Sequence, residues 1–283
     1  MSSLPPYFSI PEKIWHYTFW VICGAVLFFL IFPLLVITPL SFNAVPFFTF
    51  TKEMLAFDPA GYSLVWYEEF FTSLNWQGAI RNSVIIAFFS TIIATFLGTL
   101  ASLGLSRPQM PYRTLLMSLL ISPMIVPLII SAAGMFFFYS RIGLQATHLG
   151  VILAHAVLGT PFVVITVTAT LSGFDHSVTR AAASLGSDPV NTFMKITLPL
   201  ILPGVISGGL FAFVTSFDEV VVVLFLAGLD NTTIPIQMWT GLREQLSPTI
   251  LAVATCLIVL STLVLVIAEL LRRRSERIRG IRR

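Results

Sequence analysis

The sequence contains few charged residues. Only 10% of its 283 residues are Asp, Glu, Lys or Arg, and 56% are hydrophobic. Soluble globular proteins carry about 25% charged residues. A chain this apolar would aggregate in water, so the composition argues against a soluble protein and indicates that the lipid bilayer is its solvent.

The sequence also lacks the alternation that marks a membrane β-barrel. Inside a bilayer, backbone polar groups must be paired within the protein, which leaves helices or closed barrels. Barrel strands alternate apolar and polar residues over about ten positions. The apolar stretches here are long and continuous, so we predict an all-α, polytopic membrane protein.

Residue patterns for catalysis, metal binding and nucleotide binding are missing as well. No G-x-x-x-x-G-K-[ST] phosphate loop occurs, and the two cysteines, Cys23 and Cys256, lie far apart. The histidines are scattered without an i, i+4 partner; they are His16, His148, His155 and His176. We therefore predict no catalytic residue, no metal site and no bound cofactor. His155 is expected to pack between helices, with a proton-relay role as the alternative.

Six apolar runs are long enough to cross a membrane, which takes about 20 residues. The runs are Tyr17–Leu40, Asn82–Ser106, Thr114–Tyr139, Leu149–Leu171, Pro203–Ala227 and Pro248–Leu271. The third contains Pro123 and Pro127. Since proline removes a helical hydrogen bond, we expect that span to kink or break there.

The basic residues predict the orientation of the chain. Seven of the sixteen Lys and Arg residues lie in the last twelve positions, 272–283, directly after the sixth span. With both termini in the cytoplasm, twelve basic residues lie inside and four outside, as the positive-inside rule requires. We therefore expect a cytoplasmic N-terminus at 1–16, a membrane domain at 17–271 and a basic cytoplasmic tail. A nucleic-acid-binding arm is the disfavoured reading of that tail.

The first outer loop, about residues 41–81, is rich in aromatic residues. Trp66, Tyr67, Phe70 and Phe71 are predicted to form a short interfacial helix. Aromatic side chains concentrate at lipid headgroups, so an aromatic belt is one interpretation. The other is a contact surface for a periplasmic partner.

The cytoplasmic loop at 172–202 carries several helix-capping signals. Asp175 or Ser177 can begin a short helix, and Gly186 can end it in the left-handed conformation. Asp188 followed by Pro189 marks a second start, and Pro199 is expected to stop that second helix. Physics alone allows either a docking knob or an amphipathic element lying on the bilayer.

The same loop contains a recognisable motif. Arg180-Ala-Ala-Ala-Ser-Leu-Gly186, nine residues, and then Ile196-Thr-Leu-Pro199 resemble the EAA loop of binding-protein-dependent ABC permeases. That pattern reads EAA, three residues, G, nine residues, I-x-LP. The spacing agrees throughout, and Arg180 stands where the family usually has an acidic residue.

The resemblance implies a type I ABC importer permease with six transmembrane helices in the bacterial inner membrane. It implies partners: a second homologous permease, two ATP-binding subunits that hold ATP and Mg²⁺, a periplasmic solute-binding protein and membrane lipid, with no nucleic acid. It assigns coupling to the ATPase to motif residues. These are Arg180, Ala181, Ala182, Gly186, Ile196, Leu198 and Pro199.

Two acidic residues, Asp218 and Glu219, lie inside the predicted fifth span. At about 1.5 Å per residue they would sit about 15 Å deep. A carboxylate at that depth costs several kcal/mol unless it meets water, a partner charge or a cation. We expect one of them to line the substrate pathway while the other meets a neighbouring helix, and an ion pair or a protonated acid is the alternative.

The sequence around the acidic pair resembles the second permease of spermidine/putrescine importers. The matching stretches are Thr215–Val222, Thr233–Trp239 and Ser247–Ala254. The resemblance implies a cationic, polyamine-like cargo, with Phe217 and Trp239 as possible aromatic partners of a cation. Opine and ferric-iron permeases share parts of this sequence, so those cargoes, or another small solute, stay as alternatives.

A function of another class is also open. An ion-coupled secondary transporter would show inverted repeats and a self-contained cargo site, and no repeat between the two halves is visible. The importer permease is therefore the preferred function.

Overall fold

A computed structural model describes residues 9–107, 109–244 and 247–278, and these residues form helices joined by short loops. Two compact units can be distinguished. One comprises the residues up to Phe71 and those from Gly241 onward, and the other is Thr72–Thr240. No strand occurs in the described ranges beyond an isolated bridge between Asn43 and Tyr62. The all-α prediction is confirmed.

The second unit contains most of the predicted motifs. Its helices are α4 (Leu74–Leu105), α5 (Arg113–Ile125), α6 (Leu128–Ile142), α7 (His148–Ser172), α8 (His176–Ser184), α9 (Pro189–Thr192), α10 (Leu198–Phe217) and α11 (Val221–Leu226), and α12 (Ile234–Glu244) begins in it. Helices α4, α7 and α10 pack on one another as a three-helix core. Helix α7 is the most buried of the long helices, so it is the element against which the others are positioned.

Small residues allow the core helices to approach closely. A Cβ atom added to Gly208 of α10 would lie 2.8 Å from Cα of Val163 on α7. One added to Gly159 of α7 would lie 2.9 Å from Cβ of Ala212 on α10. Membrane helices commonly associate through such small residues, because apolar side chains gain little by leaving lipid.

The third predicted span is broken, as its prolines predicted. Helices α5 and α6 meet at Val126–Pro127 with a bend of 98°. Pro123 lies inside α5, so Pro127 marks the break. Proline disfavours helical backbone in the preceding residue, and Val126 is extended, with ψ of 135°.

The fifth predicted span, Pro203–Ala227, is wrong as a single continuous helix. Helix α10 ends at Phe217, and α11 begins only at Val221. The backbone N–H groups of Val222 and Val223 donate to the Glu219 carboxylate. A side chain that caps a new helix start replaces the bonds of a continuing helix, which explains the interruption.

The first unit contains helices α1 (Ile10–Leu40), α2 (Lys52–Leu55), α3 (Val65–Thr72) and α13 (Thr249–Ile278). Helix α1 packs on α13 and is otherwise exposed along its apolar length. Helix α3 confirms the short aromatic helix of the outer loop. The Trp66 indole donates to the Asn43 carbonyl at 2.7 Å, and Phe70 is buried, so these two aromatic side chains pack within the loop.

Four described helices are long and apolar enough to span a membrane, and the bent α5–α6 pair makes a fifth. Helix α13 follows the sixth predicted span. The described apolar part of α13, Thr249–Leu263, is shorter than the four long spans. The predicted number of six transmembrane helices therefore stays a prediction. Arg279, Arg282 and Arg283 of the basic tail lie outside the described residues.

Candidate functional site

The break between α10 and α11 divides the acidic pair into two environments. Glu219 is buried, with 7% of its surface exposed, whereas Asp218 is exposed. One carboxylate oxygen of Glu219, Oε2, accepts from the backbone N–H of Val222 at 2.8 Å and of Val223 at 3.1 Å. Glu219 therefore closes the first turn of α11 and turns inward, and Asp218 turns outward.

A buried polar cluster faces Glu219 from the neighbouring helices. Nε2 of His155 on α7 lies 3.6 Å from Glu219 Oε2, and Nδ1 lies 2.8 Å from Ser216 Oγ on α10. Ser90 on α4 donates its hydroxyl to Ser216 Oγ at 2.9 Å. His155 packs between helices as predicted, but it also joins three core helices to the break. Neither Ser90 nor Ser216 carries a sequence signal, since single serines are common in apolar helices.

The aromatic residues predicted beside the acidic pair occupy different elements. Phe217 is the last residue of α10 and stacks on Phe213, with ring centroids 5.6 Å apart. Trp239 lies in α12 and is 48% exposed. Phe217 is adjacent to Asp218 in the chain, and the involvement of Phe217 and Trp239 in a cargo pathway stays a prediction.

The segment after α11 is tied to the start of α4. The Asn82 amide donates to the backbone carbonyls of Asp230 at 2.9 Å and Thr232 at 3.0 Å. Its oxygen lies 2.9 Å from Nε2 of His148 at the start of α7. Sequence reasoning missed Asn82, because its partners lie 66 to 150 residues away. The connection holds the far end of the broken helix in place.

The cytoplasmic loop folds as two capped helices. Asp175 caps α8 by accepting from the Ser177 N–H at 2.8 Å, which decides between the two predicted caps. Gly186 has φ of 83°, and the N–H groups of Gly186 and Ser187 bond to the carbonyls of Ala183 and Ala182. This is a Schellman ending, in which glycine adopts the left-handed conformation without strain.

The second helix start is also confirmed, but its predicted end is wrong. Asp188 accepts from the backbone N–H of Asn191 at 2.7 Å. Hydrogen bonds from the Asn191 backbone and side chain lower the pKa of Asp188. Pro199 does not stop the helix, because α9 continues through a π-helical turn at Phe193–Thr197 into α10. Pro199 lies directly after the π-helical turn, where the α-helical hydrogen-bond pattern is already interrupted.

The motif residues divide into exposed and anchored groups. Arg180, Ala181 and Gly186 are exposed, and Ala182 is buried. Leu198 packs against the core cluster that includes Leu171 and Ile201. Ile196 is half-buried and Pro199 exposed. The first part of the motif is therefore available to a partner, while Leu198 attaches the loop to the helical core.

An apolar surface projects from the loop between these groups. Leu185 is 88% exposed, Val190 72% and Met194 54%. Val190 and Met194 lie four residues apart in the chain, and Leu185 adds a third apolar side chain from the end of α8. Three large apolar side chains held on a capped scaffold are suited to bury themselves against a protein groove or a membrane surface.

The sequence as a whole matches a known family. The model of the family described as "Binding-protein-dependent transport system inner membrane component" matches residues 94–277, which include the broken fifth span and the cytoplasmic loop.

Individual relatives agree with the family match. The chain is 31% identical over 248 residues to the spermidine/putrescine transport system permease protein PotC of Haemophilus influenzae, covering 88% of this chain and 93% of the relative. It is 31% identical to the putrescine transport system permease protein PotI of Escherichia coli, covering 90% and 91%.

A solved structure has the same fold. It is a chain of a bacterial ABC transporter involved in the import of the acidic polysaccharide alginate. The TM-score is 0.69 at 16% sequence identity, covering 95% of this chain and 99% of the other. The expected ABC importer permease fold is thereby confirmed.

Proposed function

Because the chain belongs to the family of binding-protein-dependent transport system inner membrane components, we propose that it moves a polyamine-like cation across the inner membrane with ATP hydrolysed by a partner. In this function it pairs with a second homologous permease, two ATP-binding subunits and a periplasmic solute-binding protein. Like its relatives, it is a transport subunit and not an enzyme.

The observation that carries the proposal is the cytoplasmic loop. Its capped helices present Leu185, Val190 and Met194 outward, and the left-handed Gly186 sets the angle between them. The chain has no phosphate loop of its own. An apolar surface of defined shape on a transport subunit supports docking to a separate ATPase. Because α10 is continuous with α9, a movement of the docked ATPase would be transmitted along α10 to the break at Asp218.

The cargo proposal rests on the relatives and on Asp218. Two relatives of nearly full coverage carry spermidine or putrescine in their names. Asp218 offers an exposed carboxylate at a helix break inside the membrane domain, and a carboxylate attracts an amine cation by its opposite charge. Opine, ferric-iron and ion-coupled transport remain the alternative functions, and none has a structural observation in its favour.

One reconstitution experiment tests this function. The chain is co-expressed with the ATPase, permease and binding protein encoded beside it, the complex is placed in proteoliposomes, and ATP hydrolysis is measured with and without polyamine-loaded binding protein. We expect spermidine or putrescine to stimulate hydrolysis and to accumulate in the lumen. Hydrolysis that responds only to another solute would contradict the cargo, and a chain that transports without an ATPase would contradict the importer.

Docking has a matched pair of variants. Gly186 and Gly143 both end a helix with positive φ, 83° and 73°, and neither has a neighbour within 4 Å of an added Cβ. We expect Gly186→Arg to abolish co-purification of the ATPase and Gly143→Arg, outside the loop, to leave it intact. Equal recovery of the ATPase with both variants would show that the loop is not the docking surface.

A further inference from the structure

A buried acid, Glu219, and a buried imidazole, His155, face each other at the helix break. His155 has 1% of its surface exposed and Glu219 7%. Their nearest atoms, Nε2 and Oε2, lie 3.6 Å apart. Removing charges from water is costly unless they are paired, so burial of a carboxylate at this position depends on a compensating partner.

The hydrogen bonds of Glu219 fix the position of one of its two side-chain oxygens. Oε2 accepts from two backbone N–H groups, those of Val222 and Val223. Both residues are almost completely buried in the apolar cluster between α6, α7 and α11. The direction of the chain as it leaves the break is therefore determined by where the Glu219 carboxylate is held.

His155 is held in turn from its other ring nitrogen. Nδ1 lies 2.8 Å from Ser216 Oγ, and this oxygen also receives the Ser90 hydroxyl. The Ser216 hydroxyl accepts from Ser90 and still has its own hydrogen to donate to Nδ1, and an imidazole that accepts at Nδ1 carries its N–H at Nε2. The ring is thus oriented from α4 and α10, with Nε2 directed towards Glu219.

The pair is incompletely satisfied in this arrangement. Glu219 Oε1 and His155 Nε2 are buried and have no hydrogen-bond partner, and 3.6 Å is longer than a hydrogen bond. A small movement of the break would turn the contact between Nε2 and the carboxylate into a hydrogen bond. Such a buried, half-satisfied group suits an element with two arrangements rather than one.

We propose that His155 is a positioning residue that holds Glu219 as the cap of α11, so that the His155–Glu219 pair shapes the helix break while Asp218 alone meets the cargo. The proposal rests on the polyamine function proposed above. Glu219 is inaccessible because it is buried and bonded to the first turn of α11, whereas Asp218, one residue earlier, is exposed. Transport then depends on both acids for different reasons.

Two quantities from the reconstituted importer separate these roles. The first is the number of polyamines transported per ATP hydrolysed, which loss of folded protein leaves unchanged because it lowers both rates together. The second is the preference for trivalent spermidine over divalent putrescine at saturating binding protein, which reports the charge that the cargo meets.

We expect His155→Gln and Glu219→Gln each to lower the transported-to-hydrolysed ratio by about tenfold, because each removes the group that faces the other buried polar side chain. The double variant should fall no further than the worse single variant. Asp218→Asn should reduce the preference for spermidine, while Glu219→Gln leaves it unchanged. Single effects that multiply, or a Glu219→Gln variant that shifts cargo preference, would overturn the proposal.

A less disruptive variant, with its own control, tests the role of His155 in case the charged-residue variants do not fold. Ser216→Ala removes the bond to Nδ1 without changing any charge, and we expect it to lower the transported-to-hydrolysed ratio in the same direction but less. Ser207→Ala on the same helix is its control and should leave the ratio unchanged. Equal ratios for these two variants would count against the role of His155.

The failure of this proposal can be told from failure of the proposed function. If the wild-type complex moves no polyamine, the proposed function is wrong. The coupling of His155 to Glu219 can still be measured by thermal unfolding of the complex in detergent. There we expect each single variant, His155→Gln or Glu219→Gln, to lower the midpoint and the double variant to recover part of the loss. Additive losses would show that the two residues are not coupled.

Discussion

Asn82 shows how one buried amide can hold several segments of this protein. Both of its N–H groups donate to carbonyls of the segment after α11, and its oxygen contacts His148. An amide is suited to this position because it can donate twice and accept at the same time. No other residue type of that size can replace all of these interactions.

A conservative change at Asn82 should therefore be costly. Asn82→Asp removes both donors and places a negative charge against the carbonyls of Asp230 and Thr232. We expect a loss of about 1–3 kcal/mol in the free energy of unfolding, measured as a lower melting temperature of the purified protein in detergent. Asn75→Asp, at an exposed position of the same helix, is the control and should change the melting temperature little; a fall as large as that of Asn82→Asp would contradict this account.

The close packing of α7 and α10 depends on the absence of a side chain at Gly208. Gly208 leaves space that Cα of Val163 occupies. Because the obstacle is backbone, a side-chain rotation cannot relieve it. The same approach places Ser216 of α10 within reach of His155 of α7, so the packing of these helices and the geometry of the break depend on each other.

A single added methyl group tests this packing. Gly208→Ala should separate α7 from α10 and destabilise the protein by about 1–3 kcal/mol, with a parallel fall in transport. Gly104→Ala, in α4 with no atom within 4 Å of the added Cβ, should be neutral or stabilising by up to about 1 kcal/mol, because alanine favours helix more than glycine. The two variants are compared by thermal unfolding in detergent, and indistinguishable midpoints would refute the packing argument.

At the scale of the whole molecule, the basic residues predict which loops share a side of the membrane. The predicted cytoplasmic side includes the loop at 172–202, and the predicted outer side includes the loop at 41–81. Coupling to an ATPase requires the loop at 172–202 to face the cytoplasm. Exposed positions such as Ala60 and Ser184 make the orientation open to direct labelling.

The orientation is measured with single cysteines. In a background of Cys23→Ala and Cys256→Ala, we expect a membrane-impermeant thiol reagent to label Ala60→Cys in intact spheroplasts. Ser184→Cys should react only after the membrane is permeabilised. The reverse pattern would place the coupling loop outside and contradict the predicted cytoplasmic termini.

Much of this protein could be predicted from short stretches of sequence. Continuous apolar runs identified the membrane helices. Pro123 and Pro127 predicted the bend of the third span, and Asp175, Gly186 and Asp188 the two helices of the cytoplasmic loop. These features are local, because an apolar run, a cap or a proline acts on residues within one or two helical turns.

What only the tertiary structure decided involves residues far apart in the chain. Sequence placed Asp218 and Glu219 together inside one helix, but the structure ends the helix before them and separates their environments. The sequence separation is 61 residues between His155 and Ser216 and 126 between Ser90 and Ser216. The sequence determined that two acids lie in a membrane segment. Only the packing of α4, α7 and α10 decided which acid is buried, because Glu219 faces His155 of α7, and Ser216 of α10 and Ser90 of α4 hold that ring in place.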